Sequence, residues 1–184
     1  FLYLASTNYY EKDSFRANYH QESFNANLGF TWIVTPATRA TVEIEHIKND
    51  QYGSRVRGIP YLATGWATDL SFNAAEATDF QTLDTTVYNL QVDHTFASWF
   101  RVNAYARYFQ SDADQQYHEP NTFNVTTGIW PREFRIQLRA MEEYSWAING
   151  VADLDFLGAK HKILAGAEYS YANRVFTTKT IPQA

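Results

Sequence analysis

Along much of the chain, apolar and polar residues alternate with a period of two. From Arg39 onward Ala40, Val42 and Ile44 are apolar, whereas Thr41, Glu43 and Glu45 are polar. Successive side chains of a strand point to opposite faces, so this period predicts a β-strand with one apolar and one polar face. Phe24, Ala26, Leu28, Phe30 and Trp32 alternate in the same way with Asn25, Asn27, Gly29 and Thr31. The pattern returns in Tyr88, Leu90 and Val92 against Asn89, Gln91 and Asp93, and in Val102, Ala104 and Ala106 against Arg101, Asn103 and Arg107. Further on, Trp146, Ile148, Ala152 and Leu154 oppose Asn149, Asp153 and Asp155, while Ile163, Ala165 and Ala167 oppose Lys162 and Glu168. None of these apolar-face positions is charged. With a weaker candidate at Phe1 to Tyr9, the pattern predicts seven strands.

The connections between these segments alternate in length. Short turns are predicted near Pro36-Ala37-Thr38, Ala97-Ser98 and Leu157-Gly158-Ala159-Lys160, and loops of about thirty residues at Gly53 to Leu83 and Asp112 to Glu142. Short and long connections therefore fall at opposite ends of the strands, as in outer-membrane barrels with tight periplasmic turns and long extracellular loops. Aromatic residues follow the same division. Trp32, Phe96, Trp99, Phe100 and Phe156 sit beside the short turns, and Tyr108, Tyr144, Tyr169 and Tyr171 toward the long-loop ends, which predicts two aromatic girdles. His46 and His94 share the apolar parity but fall near strand ends, where a polar group costs little.

Composition sharpens this picture. Aromatic residues make up 17% of the 184 residues, and no run of eighteen apolar residues exists, so a transmembrane helix is excluded while a barrel is not. The net charge of −5 argues against nucleic acid as a partner, and the absence of cysteine excludes disulfides and thiolate metal sites. Single-chain bacterial barrels close with even strand counts. The expected fold is thus an all-β, antiparallel, up-and-down transmembrane β-barrel of which residues 1–184 supply an incomplete segment, the other strands lying outside this sequence.

Several phrases resemble the TonB-dependent siderophore receptors, over nearly the whole chain from about Phe15. Leu28-Gly29-Phe30-Thr31-Trp32, then Thr35-Pro36-Ala37-Thr38 and Ala40-Thr41-Val42-Glu43-Ile44-Glu45, resemble that family's strand, periplasmic turn and returning strand. Arg57-Gly58-Ile59-Pro60 resembles the opening of one of its extracellular loops, and Thr85 to Leu90 through Trp99 to Asn103 its next strand pair. Lys160-His161-Lys162-Ile163-Leu164-Ala165-Gly166-Ala167-Glu168-Tyr169 is the most specific of these phrases. The resemblance implies a receptor of about twenty-two strands in the bacterial outer membrane. It further implies a plug domain inside the barrel, a TonB-contacting segment ahead of it, contact with lipid and lipopolysaccharide, and a ferric siderophore as transported ligand rather than a covalently bound cofactor.

An anionic iron chelate calls for arginine donors and aromatic faces near the barrel mouth. The long connections offer Arg55, Arg57, Tyr61 and Trp66 in one, and Tyr117, His118, Trp130, Arg132, Arg135 and Arg139 in the other. The ordinary alternative for each is solvated loop charge or loop packing. Phe134 to Arg139 itself alternates, so it can also extend a strand above the membrane and turn its arginines inward. The inward series Glu43, Glu45, Asp93, Arg101, Arg107, Asp153, Asp155 and Glu168 is expected to bond to the plug rather than to form a transport path.

No catalytic set is visible. Asp112-Ala113-Asp114 lacks the later ligands and central glycine of a calcium loop, and the five histidines show no zinc spacing. Neither a phosphate-binding glycine motif nor a Gly-x-Ser-x-Gly elbow occurs, so the chain is expected not to be an enzyme. Two rivals remain: a passive porin-type barrel, and a soluble β-sandwich binding module whose core would also alternate.

Overall fold

The computed structural model describes residues 1–54 and 57–182, and they form one long antiparallel sheet with a small hairpin. Its strands are β1 (Leu2–Asp13), β2 (His20–Thr35), β3 (Thr38–Tyr52), β6 (Phe80–Ala97), β7 (Phe100–Pro120), β8 (Arg132–Phe156) and β9 (Ala159–Pro182). The hairpin consists of β4 (Tyr61–Leu62) and β5 (Gly65–Trp66). The order in the large sheet is β1-β2-β3-β6-β7-β8-β9, so every strand pairs with its neighbours in sequence and the sheet runs up and down without a crossover. Among the described residues the large sheet has seven strands where seven were expected, and the weak candidate at the start of the chain is a full strand, β1.

At one end the strands are joined by two-residue turns, at 36–37, 98–99 and 157–158. Leu157 and Gly158 both take positive φ, 55° and 74°, the backbone of the primed hairpin turns whose twist matches that of the flanking strands. Register shifts at Ile33/Thr35 and Thr95/Ala97 place a bulge beside the other two turns. At the opposite end the connections are residues 14–19, 53–79 and 121–131.

One expectation is corrected here. The second long connection is not a loop from Asp112 to Glu142: β7 runs on to Pro120 and β8 begins at Arg132, which leaves only residues 121–131 between them. Beyond the apolar belt both faces of a strand meet polar surroundings, so the alternation that marks the lower strand fades although the hydrogen-bond ladder continues. The alternation of Phe134 to Arg139 reflects true strand, with Tyr117 opposite Arg135 and Gln115 opposite Gln137.

The sheet has no second layer over its apolar face. Leu28, Phe30, Trp32, Leu90, Trp146 and Ile148 are all exposed, and among the described residues the only buried hydrophobic side chains are Ala74, Ala75, Val87 and Tyr117. A sandwich would bury that face against a partner sheet, at roughly 25 cal/mol per Å² of apolar surface removed from water. This sheet leaves it open, as a lipid-facing wall does. The tyrosine girdle forms a continuous row: Tyr88 pairs Tyr108, Tyr108 pairs Tyr144 and Tyr144 pairs Tyr171, with ring centroids 6.1 Å apart for the first pair and 4.9 Å for the second. Beside the short turns Trp32, Phe96, Trp99 and Phe156 are exposed, while Phe100 lies half-buried under Phe96 and Trp99, each 5.6 Å away.

The opposite face is held by side-chain polar contacts between strands. Asn103 Nδ2 donates to Asp93 at 2.8 Å, the Tyr105 hydroxyl to Asn89 at 3.0 Å, and Thr31 and Thr41 share a bond of 3.0 Å. Arg101 and Lys162 both reach Asp153, at 3.0 and 3.3 Å.

Candidate ligand-binding rim

Above the apolar belt, residues 71–79 form a strap across the top of the sheet. At one end it is tied to the β1–β2 connection: Ala17 N donates to Ser71 O at 2.8 Å, and Arg16 donates to Phe72 O at 2.8 Å. The Asn73 side-chain amide donates to Ala17 O and Gly53 O, both at 3.0 Å, while its Oδ1 accepts from Ala75 N at 3.1 Å. The strap then crosses to the far strands. Arg132 at the head of β8 donates to Ala74 O at 2.8 Å and pairs with Glu76 at 2.6 Å.

Asp79 closes the strap against β7. It is fully buried, and its carboxylate accepts from His118 N at 2.9 Å and Glu76 N at 3.0 Å, with His118 Nδ1 at 2.7 Å. The ladder of β6 ends at Phe80 opposite Gln116, so the edge of β7 above that point has no strand beside it. The Asp79 carboxylate supplies the acceptor that a continuing strand would have provided.

These contacts sort the expected ligand residues. Arg57 donates to both oxygens of Glu119, at 2.5 and 2.6 Å; Arg132 is held by Glu76; Arg135 pairs with Glu133 and bonds to Tyr117, and those bonds raise its pKa. Tyr117 is 1% exposed and packs inside the rim. His118 is engaged by Asp79. The structure thus places these five in the framework that shapes the rim. Arg55 lies outside the described residues.

Of the remaining four, Tyr61, Trp66 and Arg139 are on open surface and Trp130 is partly covered. Tyr61 and Trp66 pair across the β4–β5 hairpin with ring centroids 4.9 Å apart, and both are exposed. Trp130 is half-buried beside Phe72 and Phe123, its indole N–H donating to Asn121 O at 2.6 Å. Arg139 lies on the polar face of β8 with its guanidinium 5.0 Å from the centre of the Phe176 ring. Beside it stands Arg174, which the sequence pattern did not single out because the upper half of β9, Asn173 to Thr180, has almost no apolar contrast between its faces. Its signal was parity: counted from Tyr171 on the apolar face, Arg174 falls on the polar one.

Among the described residues no cluster of His, Asp and Glu is arranged to hold a metal ion, and no helix long and apolar enough to cross a membrane is present.

No protein-family model and no curated protein sequence matches the chain. Solved structures do. The chain superposes on Pseudomonas aeruginosa FpvA bound to a heterologous pyoverdine and iron with a TM-score of 0.85 at 16% identity, covering 96% of this chain and 24% of FpvA. It matches the siderophore receptor PiuA from Acinetobacter baumannii with a TM-score of 0.80 at 17% identity, over 95% of this chain and 26% of PiuA. BauA, the ferric preacinetobactin receptor of the same organism, gives 0.72 at 16% identity, over 96% of this chain and 27% of BauA. This chain spans about a quarter of the length of each of these receptors, and its seven strands have the fold of a section of their barrel wall.

Proposed function

We propose that this chain is a section of the barrel of a TonB-dependent receptor in the bacterial outer membrane, one that takes up a ferric siderophore or similar iron chelate. The apolar face meets lipid and, above the tyrosine row, lipopolysaccharide. The polar face turns to the lumen and to a plug domain, and the TonB complex engages a segment outside this sequence. The rim of strap, hairpin and upper β7–β9 is the outer vestibule, in which Tyr61, Trp66, Trp130 and Arg139 meet the ligand. The observation that carries this function is the fit of almost the whole chain to siderophore-receptor barrels, with TM-scores of 0.72 to 0.85 across FpvA, PiuA and BauA.

A passive porin of the same wall would transport without energy. The test uses the full-length protein in its own cell, with ferripyoverdine and a neutral ferric trihydroxamate, both carrying labelled iron, as probes. Saturable accumulation of one probe that stops when the proton gradient is collapsed is the expected result. Non-saturable entry that survives the collapse would make the protein a porin.

A further inference from the structure

We draw no further inference here: the strongest candidate, the acidic surface patch that Glu11, Glu22, Asp50, Asp84, Asp112 and Asp114 form above the tyrosine row and on the same face of the sheet, carries nothing, because among the described residues no observation besides the carboxylates themselves points to a cation or a partner there.

Discussion

Asp79 and His118 are 39 residues apart in sequence and joined at two points, the carboxylate lying 2.9 Å from the His118 amide nitrogen and 2.7 Å from Nδ1. The contact fixes the end of the strap to the unaccompanied top of β7. With the contacts of Asn73 and Arg132 it makes the strap, residues 71–79, part of the wall.

Replacing Asp79 with Ala leaves the half-buried His118 and Glu76 amides without their acceptor. A buried group deprived of its partner costs about 1–3 kcal/mol each. Hydrogen exchange should show residues 71–79 and the top of β7 losing protection by that order, while the lower strands keep theirs. Unchanged protection in the strap would mean that Arg132 and Asn73 hold it alone.

Gly53 is where backbone geometry admits no side chain. Its φ is +55°, and a Cβ there would come within 2.0 Å of Asn18 O, a backbone atom that cannot swing away. Gly53→Ala should therefore displace the β1–β2 connection and strap together and lower the yield of folded barrel. Gly158→Ala, at φ +74° with nothing within 4 Å, should cost only about 1–2 kcal/mol of backbone strain. Equal yields for the two variants would contradict the packing described at Gly53.

At the top of β1 and β2, His20 sits between acids, with Nδ1 at 2.9 Å from Asp13, Nε2 at 3.2 Å from Glu22, and Glu11 at 3.6 Å. The bond to Asp13, then that to Glu22, raise its pKa above the ordinary value against a smaller opposing effect of desolvation. Because the folded value is the higher one, the clasp stabilises fully below about pH 6.5 and is lost as pH rises through the raised value. Protection of the Asp13 and His20 amides, measured between about pH 5 and 8, should fall on the alkaline side. His20→Gln should abolish the pH dependence; an identical profile in the variant would dismiss the clasp.

Neighbouring residues on β7 test the two faces of the wall. Ala104 lies midway between Phe100 and Tyr108 on the apolar face, and Asn103 bonds to Asp93 on the other. Ala104→Arg should destabilise the barrel in lipid by about 2–4 kcal/mol, the cost of a basic side chain at the membrane midplane. Asn103→Arg, beside Asp93, should be tolerated. Folding yields in vesicles would separate them, and equal tolerance would count against lipid contact at Ala104.

The lower wall was legible because lipid on one side and polar contacts on the other force a period of two through residues such as Leu90, Gln91 and Val92. Where that contrast ends, the pattern ends too. Ser111 to Pro120 is strand with polar residues on both faces and so read as loop; Phe134 to Arg139 alternates, but it stood apart from the belt pattern below it, and on β9 Arg174 falls where the contrast between faces is lost. The strap was invisible for another reason. Ser71 to Asp79 is a run of small and polar residues whose order comes from Ala17, Gly53, His118 and Arg132, all distant in sequence. Pairing also decided which rim arginines stay available: Arg57 and Arg132 looked no different from Arg139 until Glu119 and Glu76 were found beside the first two.

The most direct test of the account asks whether the alternation seen in the strands is an alternation between lipid and lumen. Single cysteines carrying a fluorophore would be placed at Leu90, Gln91, Val92, Asn103, Ala104, Ile148 and Asn149 of the full-length protein, with any other cysteine replaced, in vesicles containing brominated lipid. The wall described here predicts strong quenching at Leu90, Val92, Ala104 and Ile148 and weak quenching at Gln91, Asn103 and Asn149. Quenching that is weak at all seven sites would place the sheet outside the membrane and contradict the receptor function.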